Sequence, residues 1–282
     1  MLVLRMTEAV RARRRELWHQ GARVALVPTM GAFHEGHLRL VDRARDLADE
    51  VWVSLFVNPT QFAPGEDFER YPRDEERDFR LLEARGAAVV FAPTVKELYP
   101  RPSALVLDAP SLTGGLCGAH RPGHFQGVLL VVAKLLNVSR PEVAVFGAKD
   151  FQQAVLIRRM VEDLDIGVRI EVVPTVREED GLAMSSRNAY LAPAERRAAA
   201  VLPRALAAAA AAVERGERRG AELEAVMAAC VAEEEEARLQ YAAAVDPETL
   251  HPVEMVEGRV LLALAVHVGG TRLIDNQMVE VA

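Results

Sequence analysis

Lysine, asparagine and cysteine are all scarce in this chain of 282 residues. Lys96, Lys134 and Lys149 are the only lysines, so arginine carries almost all of the positive charge. Asn58, Asn137, Asn188 and Asn276 are the only asparagines, a bias that either a GC-rich genome or adaptation to heat produces. Cys117 and Cys230 are too few and too far apart for a disulfide framework or a zinc site. Long apolar runs are missing too: the longest, Ala205 to Val213, falls well short of the ~20 residues that span a bilayer. No apolar run follows the charges of Met1 to Arg15, so no secretory signal is expected there. Neither GxxxxGK[ST] nor GxGxxG occurs, which argues against a P-loop nucleotidase and an ordinary dinucleotide dehydrogenase. Positive charge is also in deficit, 34 Lys and Arg against 41 Asp and Glu, for a net charge of −7. That balance disfavours nucleic acid as a partner. The expectation is a cytoplasmic protein that binds neither membrane nor nucleic acid.

What is present is ordinary globular material, 50% hydrophobic and 27% charged, which excludes whole-chain disorder. Helical spacing covers Thr7–Gln20 (with Thr7 as N-cap), Leu38–Ala48, Arg73–Arg85, Gln126–Asn137 and Phe151–Asp163. Strands are predicted at Arg23–Val27, Val51–Val57, Ala88–Phe91, Ser103–Leu107, Glu142–Phe146 and Val168–Val173, with a Gly-rich loop over Thr113–Gly123. Strands alternating with crossover helices build a parallel sheet covered on both faces, hence an α/β class. Ligands of such sheets bind beyond the carboxyl ends of the strands, so the loops after Val27, Val57, Phe146 and Val173 should converge. The pattern then changes. Two Ala-rich helices are expected at Pro193–Arg218 and Ala221–Gln240, the second with Glu233–Glu236 on a solvated face. Tyr241–Val245, Arg259–Val268 and Thr271–Ile274 read as strands, the last two joined by a Gly269–Gly270 turn. These elements predict a larger domain at 1–176 and a smaller α+β domain at 177–282.

The loops carry the chemistry. The first reads Met30-Gly31-Ala32-Phe33-His34-Glu35-Gly36-His37, at a strand-to-helix junction. A helix N-terminus offers unpaired N–H groups and a positive dipole end, Gly36 permits close approach, and two histidines can donate to phosphoryl oxygens. The alternative is that one histidine caps the helix and the other packs. A zinc-protease reading fails, because His34 and His37 are one residue too close for H-E-x-x-H. The second loop, Asn58-Pro59-Thr60-Gln61-Phe62, sets neutral amides beside an aromatic, which suits a small polar ligand. The third, Gly147-Ala148-Lys149-Asp150-Phe151-Gln152-Gln153, places one of the rare lysines at a helix start, where it is either a phosphate contact or solvated. The fourth runs from Val176 to Met184-Ser185-Ser186-Arg187-Asn188 and is either a mobile phosphate clamp or a Ser-rich linker.

The HxGH loop and the later Met-Ser-Ser-Arg segment resemble the HIGH and KMSKS pair of the nucleotidyltransferase superfamily. Within it, Pro28-Thr29-Met30-Gly31, Asn58 to Phe62, Tyr71-Pro72-Arg73, Arg121-Pro122-Gly123-His124-Phe125, Gly147 to Asp150 and Met184 to Asn188 resemble the AMP-forming pantoate–β-alanine ligases. The resemblance implies a Rossmann-like nucleotide-binding domain and a homodimer. It also implies a reaction in which pantoate attacks Mg2+-bound ATP and the pantoyl adenylate is taken by β-alanine. It would place ATP against Met30, Gly31, Ala32, Phe33, His34, Glu35, Gly36, His37, Gly147, Ala148, Lys149, Asp150, Val176, Met184, Ser185, Ser186 and Arg187. His37, His34, Lys149, Arg187, Ser185 and Ser186 would take part in catalysis, with His37 as proton donor. Gln61 and Gln153 would bind pantoate, Gln61 would also serve β-alanine, and Asp78 would lie near the metal. At Arg77 the chain departs from relatives that carry a carboxylate. Two other functions remain to be distinguished. An adenylyltransferase for phosphate esters would need cations at Gln61 and Gln153, and a tRNA-binding module would need a basic stripe.

Overall fold

In the computed structural model, which describes residues 1–281, Val24–Thr29 (β2) lies parallel to Glu50–Leu55 (β3), from Val24 opposite Glu50 to Thr29 opposite Leu55. On the other side of β2 lies Val143–Gly147 (β5), followed by Arg169–Val173 (β6). Beyond β3 come Val89–Phe91 (β4) and Leu2–Leu4 (β1), giving the order β1-β4-β3-β2-β5-β6 with every pair parallel. The order reverses between β2 and β5. Ligands of open parallel sheets bind in the crevice at such a reversal.

The helices of this unit stand where the alternation predicts, Thr7–His19 (α1), Glu35–Arg45 (α2), Glu75–Ala84 (α3), His124–Ser139 (α7) and most of Phe151–Asp163 (α8), with a short unpredicted helix at Val95–Leu98 (α4). The short helices Pro110–Thr113 (α5) and Leu116–His120 (α6) occupy the segment expected to be a Gly-rich loop. Phe33, Leu38, Val41 and Ala44 pack with the sheet residues Ala25, Val27, Val53, Val90 and Val145 in one buried cluster. Central strands buried on both faces read as continuous apolar runs, which makes them legible in the sequence.

The chain divides into two compact units. The first comprises Met1–Ala109, Arg121–Ala148 and Gln153–Pro174, and contains the parallel sheet. The second comprises Pro110–His120, Lys149–Gln152 and the chain from Thr175 onward. Its sheet is antiparallel, Ala237–Val245 (β7), Arg259–Val268 (β8) and Thr271–Glu280 (β9), packed against Val201–Glu214 (α10) and Gly220–Ala232 (α11).

Several expected elements differ. The residue capping α1 is Met6, while Thr7 donates both its N–H (2.8 Å) and its hydroxyl (2.7 Å) to Glu97. Ser103–Leu107 forms no strand, and Leu105 and Val106 are 73% and 70% exposed. The helix expected over Pro193–Arg218 breaks into Pro193–Ala198 (α9) and α10. Pro203 causes this: in a continuous helix its ring would meet a preceding carbonyl, whereas in the first turn of α10 no N–H is required. The helix expected to reach Gln240 ends at Ala232, and Ala237–Gln240 belong to β7. Four consecutive glutamates continue a helix poorly, and pairing of Ala237 with Val268 recruits the following residues into the sheet.

Candidate active site

Immediately after β2 the backbone turns through Gly31 (φ +87°) and Ala32 (φ +54°), then enters α2 with His34 as the capping residue. Two left-handed residues in succession need a partner that holds them. Asp78, in the first turn of α3 and 1% exposed, supplies it. Its Oδ2 accepts from the Ala32 N–H (2.8 Å) and its Oδ1 from the Phe33 N–H (2.9 Å). A Cβ on Gly31 would lie 2.9 Å from Asp78 Oδ2, so both the space and the positive φ call for glycine. Burial pushes the Asp78 carboxyl above the ordinary carboxylate range, against the pull of the two N–H groups. Both of its oxygens thereby fasten the loop. Among the described residues no group of three or more His, Cys, Asp or Glu could hold a metal ion.

The same loop delivers the two histidines. Their rings stack at 4.0 Å with planes tilted by 33°, and Phe33 meets His37 edge-on at 5.3 Å. They flank the N-terminal turn of α2, where the helix dipole favours an anion. Glu35 would oppose that, but Arg85 grips its two oxygens at 2.8 and 2.7 Å and reaches Asp42 at 2.6 Å. The carboxylate charge in this turn is thereby offset.

Beyond β3, the Pro59–Gln61 turn carries Gln61, which is buried and donates Nε2 to Met30 Sδ at 3.3 Å. This bond joins the second predicted loop to the first. Gln61 Oε1 accepts from Asn58 Nδ2 (3.0 Å), and that amide also donates to the Gly127 carbonyl (3.1 Å). Asn58 Oδ1 accepts from the hydroxyls of Thr60 (2.9 Å) and Tyr99 (3.0 Å). From below the turn, His124 Nδ1 lies 2.8 Å from the Gln61 carbonyl and its Nε2 lies 3.0 Å from Arg121 Nη1. A carbonyl only accepts and a guanidinium only donates, so these contacts select the Nδ1–H tautomer. Arg121 continues to Glu66, with both oxygens at 2.7 Å. Gly127 lets α7 cross closely here: a Cβ would come within 2.2 Å of the Thr60 carbonyl oxygen.

Asn58, Arg121 and His124 stand in motifs of the sequence without these contacts being announced, and Tyr99 and Gly127 stand in none. A glycine inside an otherwise apolar helix is the one local signal of close backbone approach. Gly147 ends β5 and Ala148 follows it, in the same unit and across the reversal from the histidine loop. Gln153, the other glutamine expected to bind pantoate, lies in α8 of the same unit.

The second unit holds the other predicted cations. Lys149 sits in the Ala148–Asp150 turn, and no carboxylate among the described residues pairs with its ammonium. Val176, Met184 and the serines lie on a tight hairpin, in which Glu178 N–H donates to Leu182 O (2.8 Å) and Met184 N–H to Val176 O (3.0 Å). Leu182 and Ala183 are buried, and Arg196 bonds both Glu178 and Asp180. Ser185 Oγ accepts the Arg187 N–H (3.3 Å), which caps the turn Ser186–Tyr190. These contacts close the segment into a hairpin.

The sequence pattern of the family described as Pantoate-beta-alanine ligase matches residues 2–278. The pantothenate synthetase of Heliobacterium modesticaldum is 52% identical over 281 residues, covering 99% of this chain and 100% of that protein. The crystal structure of pantothenate synthetase from Thermus thermophilus superposes with a TM-score of 0.92 at 45% identity, covering 98% of this chain and 99% of that one. Pantoate-beta-alanine ligase from Francisella tularensis, solved with beta-gamma ATP and beta-alanine, has a TM-score of 0.80 at 33% identity and covers 99% and 97%. The histidine loop and the neutral glutamine cradle are therefore parts of an enzyme, and the chain belongs to the pantoate–β-alanine ligase family.

Proposed function

We propose that this enzyme joins pantoate to β-alanine in two steps that consume ATP. A carboxylate oxygen of pantoate attacks the α-phosphorus, the bond to the bridging oxygen breaks, and pyrophosphate leaves. The amine of β-alanine then attacks the acyl carbon of the pantoyl adenylate, loses a proton, and AMP departs with the oxygen that pantoate contributed. The observation that carries this reading is the loop at 30–37, fixed by Asp78 at the N-terminus of α2 and beside the reversal of strand order. Donors held rigidly where charge builds on a phosphate stabilise the transition state without reorganising. A Francisella relative solved with beta-gamma ATP and beta-alanine supports the same substrates for this chain.

In this reading His34, His37, Lys149, Ser185, Ser186 and Arg187 contact the phosphates, with His37 donating a proton and Val176 against the adenine. Gly147, Ala148, Asp150 and Met184 complete the nucleotide contacts, and the boundary between the nucleotide-binding domain and the smaller domain is proposed between residues 176 and 177. Gln61 and Gln153 hold pantoate, and Gln61 also receives β-alanine. Neutral amides suit this task, because a lysine would hold the carboxylate too firmly for it to attack. Mg2+ arrives with ATP as part of the substrate. Asp78, beside the histidine loop, is the residue placed near it in this proposal.

No helix among the described residues is long and apolar enough to cross a membrane. Free ATP as substrate assigns the reaction to the cytoplasm. A homodimer belongs to the same proposal, and the exposed apolar pair Leu105 and Val106, without a strand partner among the described residues, suits pairing with a second copy. Light scattering should give twice the 30.9 kDa chain mass.

The chemistry is tested with pantoate labelled with 18O in its carboxylate. AMP carrying one labelled oxygen on phosphorus is expected. Label in inorganic phosphate, with ADP as product, would instead mean an acyl phosphate and would overturn the proposal.

A further inference from the structure

Lys149 and the hairpin bearing Ser185, Ser186 and Arg187 are held by two adjacent residues of one strand. Asn276 of β9 donates Nδ2 to the Lys149 carbonyl at 2.8 Å. Its neighbour Asp275 accepts from Arg177 through both oxygens, at 2.7 and 3.1 Å. Arg177 forms the bridge with Ala183 that closes the hairpin, and donates further to the Gly181 carbonyl (2.9 Å) and the Asn276 carbonyl (3.2 Å). The guanidinium thus ties the turn of the hairpin to β9.

The placement of these two residues departs from what packing would choose. Alternate residues of a strand face opposite sides of the sheet. Asp275 lies opposite Leu264 and shares its buried row with Leu273 and Val279, which belong to the apolar core of this unit. A carboxylate there is 2% exposed. Replacing a buried ion pair by apolar residues of similar volume commonly costs no stability, so the pair is not explained by stability alone. What it supplies is geometry: a bidentate carboxylate–guanidinium contact fixes distance and orientation together. Asn276, opposite Ala263, takes the Lys149 turn on the other face of the strand.

We propose that Asp275 and Asn276 are positioning residues, which set from the two faces of β9 where the Lys149 turn and the Ser185–Arg187 segment stand for the phosphates of ATP. This rests on the proposed contact of those segments with ATP. Neither residue touches the substrate, and both act through the backbone of the segments they hold.

A double-mutant cycle tests it, read by pyrophosphate exchange with pantoate and ATP. Lys149→Ala should slow exchange by about 10²-fold or more, and Asn276→Ala by about 10-fold with the pantoate KM unchanged. The combined variant should be no slower than Lys149→Ala alone, because a residue acting through Lys149 then has nothing left to place. Asn276→Asp, which keeps the size but offers only acceptors to a carbonyl, should match the alanine variant and carries the same cycle should that variant not fold. Losses that multiply in the combined variant, or full exchange activity in both Asn276 variants, would overturn the proposal. Full activity in Lys149→Ala would instead overturn the ATP contact assigned to Lys149, so the two failures are distinguishable.

Discussion

Asp78 Oδ1 lies 2.9 Å from the Phe33 backbone nitrogen, and its second oxygen lies 2.8 Å from that of Ala32. One buried side chain thereby fixes a left-handed turn that the loop could not hold by itself. The histidines follow directly in the chain, so their placement depends on a residue in a different helix.

Asp78→Asn preserves the shape but turns one oxygen into an NH2 group facing a backbone N–H. A buried donor left without its acceptor costs roughly 1–3 kcal/mol, so the melting temperature should fall. The exchange rate should fall by about 10-fold or more even at temperatures where the variant is fully folded, as preorganised donors are lost. Circular dichroism and steady-state rates on one preparation check both. A variant of lower stability with normal turnover would reduce Asp78 to a structural role.

Gly127→Ala probes the amide cradle. The new methyl group would sit 2.2 Å from Thr60 O and 2.7 Å from Gln61 N, both backbone atoms that cannot rotate away. The helix must shift, which costs about 1–3 kcal/mol in a packed region. Gln61 should move with the turn, raising the pantoate KM more than the ATP KM. Equal effects on both constants would count against a pantoate role for this cradle.

Acid stability should depend on Glu66. Burial alone would raise its pKa, but the Arg121 bonds and charge outweigh burial and hold it below the ordinary 4.5. A carboxylate with a lowered folded pKa contributes stability that is present above 4.5 and lost as pH falls through the folded value. Melting temperatures of Glu66→Gln should therefore be lower than those of the parent near neutrality, and the gap should close below pH 4.5. A gap that stays constant down to acid pH would show that this pair does not govern the acid limb.

Hydrogen exchange distinguishes an anchored hairpin from an open lid. The amides of Glu178, Gly181 and Met184 each donate to a carbonyl within the segment, at 2.8, 2.9 and 3.0 Å. They should be protected in the ligand-free enzyme and change little when ATP and pantoate are added. Rapid exchange without ligands, slowed on their addition, would restore the clamp reading.

The core strands are legible because burial on both faces leaves continuous apolar runs, as in Val24–Thr29 and Glu50–Leu55. Leu2–Leu4 is not, since three residues at a sheet edge carry no readable period. Ala237–Gln240 look helical by composition, and only the distant partner β8 makes them strand. The site divides in the same manner. Histidines, lysine and serines sit at strand-to-helix junctions that sequence pattern exposes. The groups that hold them, Asp78, Asp275 and Asn276, act across long sequence separations and have no local signature. Asp78 illustrates the difference: the resemblance implies only an acidic position near a metal, and no local pattern announces its two N–H donors in another element.

The central claim is that a pantoyl adenylate forms before β-alanine reacts. Exchange of labelled pyrophosphate into ATP, measured with pantoate and Mg2+ and no β-alanine, tests it most directly. The account predicts exchange that requires pantoate and is greatly slowed in His37→Ala, by about 10²-fold. Exchange that appears only after β-alanine is added would contradict it.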